Sequence, residues 1–484
     1  MNFTLLLPEI ALAAAALLVV LFDLGTGRKG WLTVVSLLGI GSAFALTVLQ
    51  AGGEAQVAGQ GLLAVDSLAI FMKLIFLGLS ALIVLASTDY ICRMRGFHGE
   101  YHALILLSTL GMMLLSSANN LIMIFISLEL ASIPIYALAG FLKDQRGTES
   151  ALKYLLLSGI NSAVLLYGLA LLFGFSGVTS LPGVAQAISV FPASQVWQQP
   201  GLVFGLLLVT AGFGFKIAAV PFHMWTPDVY EGSPTPVALL LSAGSKLAGF
   251  AVLLRVLVAA LAPQGALGEG WALIIAVVSA LGMTLGNLLA VPQTNIKRLL
   301  AYSGIAHSGY MLVAVAATGI ASGASTPTST LLFYMLAFAL AEVATFTAVT
   351  VASQKAGDQI AGYAGLGRRN PWLAAALTIA LVSLTGIPPT AGFIAKFYVF
   401  TAAFNSGLAW LVIVAVLNTI ISTYYYFRII RLVWRSEPPE YAPVIASFPP
   451  KLVLLIATLG ILALGILPFW GVKLAEFGAR ILLP

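Results

Sequence analysis

Two stretches, TAGFGFK ending at Lys216 and TAGFIAK ending at Lys396, share Thr, Ala, Gly, Phe and Lys and lie about 180 residues apart. Two more charges are set in equally apolar surroundings, Glu129 in IFISLELASIP and Lys246 in LLLSAGSKLAGF. Glu129 lies ten residues after Asn119, and Lys246 eleven after Thr235. At ~1.5 Å rise per residue that is ~15 Å and ~16 Å along a helix, the middle of a ~30 Å hydrocarbon core. A charge at that depth costs at least ~2.5–3.5 kcal/mol on insertion scales, so such residues face an interior and pair or relay ions. Burial disfavours the charged form of lysine and carboxylate alike, which brings the two toward proton exchange at neutral pH. A Glu–Lys pair that only pins helices together is the simpler reading for one pair. Four such charges, with lysines in both copies of the repeat, favour proton transfer.

Weaker signals surround these four. His307, in AYSGIAHSGYML, lies 178 residues after Glu129 and reads as a proton relay in preference to a satisfied core histidine. His223 follows Pro221 in VPFHMWTPDVYEG and either links the lysine line to the cytoplasm or caps its loop. Lys153 starts a span and either joins the relay or extends its ammonium to the interface. Lys297 and Arg298 fit a cytoplasmic rim. Lys73 and Arg255 show no partner in sequence, so helix packing or lipid contact is expected of them. Glu342, in LAFALAEVATF, is deeply apolar in context and also without a nameable partner.

The chain that must hold these residues is 484 residues long, 60% hydrophobic and 8% charged, with mean hydropathy +1.03. Soluble domains carry ~25% charged residues, so this is a membrane-embedded chain. Barrel-like alternation is absent, leaving an all-α polytopic membrane protein. The N-terminal run lacks a basic leader and carries Glu9, and is expected to be a first span and not a signal peptide. Cys92 is the only cysteine and the four histidines are scattered, so iron–sulfur ligation by this chain alone is excluded. No phosphate-binding glycine motif occurs, and the net charge of +6 lies in loops, reporting topology and not nucleic-acid binding.

Gly, Pro and charge clusters divide the chain into about fourteen spans: 5–24, 31–50, 66–87, 101–117, 119–141, 150–175, 201–220, 235–261, 271–290, 295–318, 328–352, 372–404, 408–434 and 450–470. Arg28, Lys29, Arg93, Arg95, Lys143, Arg146, Lys297, Arg298, Lys355, Arg368, Arg369, Arg431, Arg435 and Lys451 lie in or beside odd-numbered connections. The even connections contain no Lys or Arg. By the positive-inside rule the odd connections face the cytoplasm and both termini the opposite side. Connection 176–200 is then external, with room for a short interfacial helix. The shift of about 180 residues carries span 7 onto span 12, and an odd shift of five spans inverts the second copy. Residues 1–100 are therefore expected to hold helices 1–3, 101–261 a first five-helix repeat, 271–434 a second, inverted one, and 435–484 helix 14. Transporters with such repeats place ion sites near the midplane on interrupted helices. Pro221 after Lys216, and Pro388 and Pro389 before Lys396, supply the breaks.

Three long motifs, KIAAVPFHMWTPDVYEGSPTPV, TNIKRLLAYSGIAHSGYM and GIPPTAGFIAKF, closely resemble the antiporter-like membrane subunits of respiratory complex I, the proton-pumping NADH:quinone oxidoreductase. The resemblance runs from span 3 to span 13. Within the family, HMWTPDVYEG is similar to the N branch and unlike the L and M branches, and a lysine at Lys396 is unlike the M branch. It implies fourteen helices with inverted repeats. It further implies that Glu129 and Lys216 form the acid–base pair of a first half-channel, with Lys246 the central link and Lys396 the exit-side lysine of the second. Lys153 and His307 match relay positions, with Lys297 beside them. Glu342 falls where the resemblance implies a neutral residue, so no role carries over to it.

The same resemblance implies redox-driven proton translocation in a bacterial cell inner membrane. NADH, FMN, iron–sulfur clusters and quinone would be held by partner subunits and none by this chain, with adjacent M and small K subunits as neighbours. The rivals are a subunit of a multisubunit sodium/proton antiporter, a purely structural membrane anchor, and a quinone- or ferredoxin-linked relative of complex I.

Overall fold

The computed structural model describes residues 3–25, 30–92, 96, 98–192, 195, 197–257, 266–320, 325–437 and 444–480. Arg28, Lys29, Arg93 and Arg95, used above to orient the loops, lie outside them, as do residues 258–261 at the end of expected span 8. Among the described residues twelve helices are long and apolar enough to cross a membrane. Two shorter apolar helices, Pro200–Lys216 and Pro371–Thr385, begin spans 7 and 12 and complete the expected fourteen. The fold is all-α apart from a small hairpin, Gln56–Ala58 paired with Leu63–Val65, in the connection before span 3.

Helix starts follow local chemistry. Asp66, Asn120, Asp144 and Asn370 each accept a backbone N–H of the first turn, at 2.8 to 3.0 Å, ahead of spans 3, 5, 6 and 12. Such caps satisfy donors that have no partner inside the helix.

The connections sort into two faces. Asn119 N–H donates to Leu62 O at 2.9 Å and Leu121 N–H to Thr179 O at 2.8 Å, tying three even connections together. On the other side Asn295 Nδ2 donates to Glu231 at 3.2 Å, Lys297 pairs with Asp358 at 3.0 Å, and Ser447 N–H donates to Asp89 at 3.0 Å, tying odd connections together. Successive spans therefore alternate in direction.

Spans 8, 10 and 11 form the centre of the bundle, while spans 1, 2, 6, 13 and 14 leave most of their apolar surface outward, toward lipid or neighbours. Equivalent spans of the two halves pack alike. Ser108 of span 4 donates to Ala131 O of span 5 at 2.8 Å, and Ser279 of span 9 donates to Gly309 O of span 10 at 2.7 Å. A Cβ on Gly111 would come within 2.2 Å of Ala131 N, and one on Gly309 within 2.6 Å of Met283 N, so both contacts depend on the missing side chain.

Both expected helix breaks are present, and one helix beyond the expected fourteen is added. Span 7 stops at Lys216 and resumes as Thr226–Gly232. Span 12 is two helices, Pro371–Thr385 and Ala391–Asn405, because Gly386 adopts φ +88° and the two prolines that follow cannot extend the hydrogen-bond ladder. After span 14, Phe448–Ile466, the chain turns at Pro468 into a further helix, Phe469–Gly478, which packs on Phe71 of span 3 and Phe333 of span 11. Connection 176–200 carries the short helix allowed for, Leu181–Ser189.

Candidate proton path

Lys216 is the last residue of its half-helix and is 4% exposed. Its ammonium donates to Ser132 Oγ at 2.7 Å. The position suits a cation, since the unpaired carbonyls of a helix C-terminus carry partial negative charge. Glu129, one turn before Ser132, accepts a hydrogen bond from Ser162. Among the described residues no ion pair within 4.0 Å joins Glu129 and Lys216. The acid–base pair implied by the resemblance is thus an electrostatic neighbourhood here, with Glu129's charge reaching the lysine and a serine making the contact.

Lys246 begins the second α-helical part of span 8, after Thr235–Leu239 and a π-helical turn, Leu240–Ser245. Such turns recur at functional sites because the extra residue redirects side chains. The ammonium donates to Gly304 O of span 10 at 2.7 Å and lies 5.4 Å from the centre of the Phe338 ring. The Lys216 stem packs on Gly249, three residues further along span 8. Ser308 of span 10 donates to Ile217 O at 2.5 Å, holding the break in span 7 against the next part of the line.

His307 follows Gly304 by three residues on span 10. Its Nδ1 lies 2.8 Å from Tyr334 Oη and its Nε2 3.4 Å from Tyr426 Oη, which itself bonds Ser303. Phe338 is shared, its ring centre 5.1 Å from that of His307. A cavity about large enough for one water separates His307 from Lys396 and is lined also by Tyr334 and Ser383.

Lys396 sits in the second half of span 12, yet its ammonium donates to Thr385 O at 2.8 Å, the last carbonyl of the first half. It lies 4.5 Å from the centre of the Tyr310 ring. Although the breaks fall on opposite sides of the two lysines in sequence, both ammonium groups rest at the carbonyl end of a broken helix. That is where interrupted helices present negative potential to cations.

The structure brings Lys216, Lys246, His307 and Lys396 into one buried line, with Glu129 beside its start. It does not bring Lys153 or His223 into that line. Lys153 has a side chain 44% exposed and bridges Glu149 at 2.8 Å and Asp228 at 3.0 Å in a polar cleft with Arg146, Glu231 and Arg298. His223 is buried in the span 7 break, and its Nδ1 has no hydrogen-bond partner. Lys73 and Arg255 do have partners. Lys73 pairs with Glu9 at 2.6 Å, and Arg255 makes two bonds to Asp66, at 2.8 and 2.9 Å, plus one to Ser116 O. Ser132, Ser242 and Tyr310 were overlooked in sequence, although each lies three or four residues from Glu129, Lys246 or His307, the spacing of neighbours on one helix face. Tyr334 and Tyr426 carry no such local signal. Among the described residues no group of three or more His, Cys, Asp or Glu side chains is placed to hold a metal ion.

Residues 118–422 match the NADH:quinone oxidoreductase/Mrp antiporter transmembrane family. NADH-quinone oxidoreductase subunit N of Dehalococcoides mccartyi is 47% identical over 482 residues, 99% of each chain, and that of Trichlorobacter lovleyi is 41% identical over 99% of this chain and 98% of its own. Among solved structures, a chain of respiratory complex I from Thermus thermophilus superposes with TM-score 0.82 at 33% identity, covering 97% of this chain and 99% of that one. A chain of the Mrp complex from Dietzia has TM-score 0.85 over 99% of this chain and 97% of its own, but at 20% identity it speaks for the fold alone. The chain therefore belongs to the NADH:quinone oxidoreductase/Mrp antiporter transmembrane family, in the branch formed by NADH-quinone oxidoreductase subunit N.

Proposed function

We propose that this chain is a proton-translocating membrane subunit of an NADH-quinone oxidoreductase, coupling electron transfer in partner subunits to proton movement through its own buried line. One observation carries the reading. Three buried lysines, on spans 7, 8 and 12, are linked through span 10, and among the described residues no carboxylate is in ion-pair contact with any of them. Such groups gain and lose a proton at far less cost than a lysine locked to a carboxylate.

In this mechanism quinone reduction elsewhere alters the field at Glu129. The ammonium of Lys216 then releases its proton, which passes to Lys246, through His307 and the adjoining water-sized cavity to Lys396, and out. Neutralised lysines are recharged from the odd-connection face, through the cleft that Lys153, Asp228 and Arg298 line. Lys153 and His223 act at this mouth.

The working division of the chain is residues 1–100, the repeats 101–261 and 271–434, and the tail 435–484. The odd connections face the cytoplasm of a bacterial cell, the membrane is its inner membrane, and both termini lie outside. NADH, FMN, iron–sulfur clusters and quinone are held by partner subunits, with M- and K-type chains as neighbours. A sodium/proton antiporter subunit is the rival, and 47% and 41% identity to N subunits over nearly the whole chain argues against it.

Purification through a tag on this chain, followed by NADH:quinone turnover and proton uptake in vesicles, tests the reading. Co-purification of a redox complex with inhibitor-sensitive pumping is expected. A small assembly showing sodium-driven proton movement and no electron transfer would overturn it.

A further inference from the structure

Span 11, Ser325–Ala356, crosses the bundle beside both halves of the line. Tyr334, Phe338, Glu342 and Phe346 recur every four residues on one of its faces. Each meets a different part of the path. Tyr334 bonds His307, Phe338 lies under Lys246, Glu342 Oε2 accepts from Ser242 at 2.6 Å, and Phe346 packs edge-on against Tyr230. Three of these residues are ordinary lining, and the fourth is an acid.

Glu342 is 0% exposed, and its Oε1 has no hydrogen-bond partner. Elsewhere in this molecule buried carboxylates are closed by cations, as Asp66 is by Arg255 at two points. A buried carboxylate with one oxygen left bare is costly, and its retention calls for a reason. Ser242, which holds the other oxygen, lies in the π-helical turn immediately before Lys246. Lys246, beyond ion-pair contact, is the cation whose charge acts on this carboxylate, and it lies over Phe338, one turn away on span 11. The remaining titratable groups within reach are Tyr230 and Tyr426, the latter also contacting His307.

We propose that Glu342 is a proton-carrying residue of the central segment that exchanges a proton with Lys246. The flexible lysine stem swings its ammonium from Gly304 O toward Oε1. One N–H bond breaks and one O–H bond forms, the lysine keeps the electron pair of the N–H bond, and an ammonium and carboxylate become an amine and carboxylic acid with no change in net charge. A proton from Lys216 recharges Lys246, and the acid passes its own toward His307. Span 11 is thereby a participant in the path.

The inference rests on the proton-translocating reading, and wild-type pumping separates the two. NADH oxidation without proton uptake in the wild-type complex would sink that reading whatever Glu342 does. With pumping established, Glu342→Gln, Glu342→Asp and wild type are compared in the assembled complex for protons per NADH, the pH profile of pumping and redox-induced infrared spectra. Glu342→Gln is expected to lose proton uptake per NADH, to shift the pH profile and to lose one carboxylic-acid C=O band. Glu342→Asp is expected to keep pumping and to move that band. Unchanged stoichiometry, profile and band in Glu342→Gln would overturn the proposal. Should Glu342→Gln fail to assemble, an unmoved band in Glu342→Asp would overturn it equally.

Discussion

The molecule buries its charges in two different ways. In the N-terminal helices and at the end of span 8, Lys73 and Arg255 are closed by Glu9 and Asp66 at 2.6 to 2.9 Å. Along the buried line, Lys216, Lys246 and Lys396 donate instead to a serine hydroxyl and to two backbone carbonyls. Both arrangements remove cations from water, but the first sets each against an opposite charge while the second gives it only neutral partners. The difference teaches that burial of a charge is no mark of transport by itself. What the cation is bonded to decides whether it pins helices or carries protons.

The comparison breaks most visibly on stability. Glu9→Gln or Lys73→Met alone leaves one buried charge unpaired and is expected to destabilise the protein by about 3–5 kcal/mol, whereas the double variant recovers most of the loss. Thermal inactivation of the purified complex reads this, and single variants no weaker than the double would show that the pair does not bind helices 1 and 3. At the midplane the same kind of change acts on transport. Lys216→Met is expected to cut coupled proton uptake about tenfold or more with little loss of assembly. Lys216→Arg should impair it almost as badly, because a guanidinium does not give up its proton. Near-normal proton-to-electron stoichiometry in the arginine variant would count against transfer through Lys216.

A smaller effect is expected where the second lysine is held by backbone shape. Gly386 adopts φ +88°, and a Cβ there would lie 2.8 Å from Lys396 Cδ. Gly386→Ala should therefore lower stability by about 1 kcal/mol and displace the lysine, reducing uptake. Gly78→Ala, where nothing lies within 4 Å of the new methyl, is the control, and equal effects at both sites would refute the geometric argument.

The smallest effect belongs to Asp228, in the connection between spans 7 and 8. Burial alone would raise the Asp228 carboxyl, but Arg298 and Lys153 outweigh it and hold the group below its ordinary value of 3.8. A carboxyl depressed in the folded state contributes stability that is complete above the ordinary value and disappears as pH falls through the depressed one. Asp228 is 38% exposed, so solvent screening keeps the contribution of the bridge below about 1 kcal/mol. Asp228→Asn should thus cost little at neutral pH and nothing at the acid end of that window. A loss that persists there would assign the residue some role other than its ion pairs.

Much of the architecture was legible before any coordinates. Span number, alternation of the basic loops and the paired TAGF motifs are local patterns, set by what a stretch of some twenty residues must do in hydrocarbon. The midplane placement of Glu129 and Lys246 followed from the same reasoning, because depth is a matter of helical rise. Even Ser132 and Ser242 stood within one turn of residues already singled out. The partner of Arg255 was beyond such reasoning, for Asp66 lies 189 residues away in the chain.

By itself, then, the sequence determined the membrane class, the repeat and the depth of Glu129 and Lys246. Tertiary structure alone decided which charges are closed and which are left open. It showed that Lys396 reaches back to Thr385, that Glu129 and Lys216 are neighbours without being an ion pair, and that Glu342 faces the line with one oxygen free. Depth depends on position along one helix, but partnership depends on how several helices pack, and hydropathy carries no record of that.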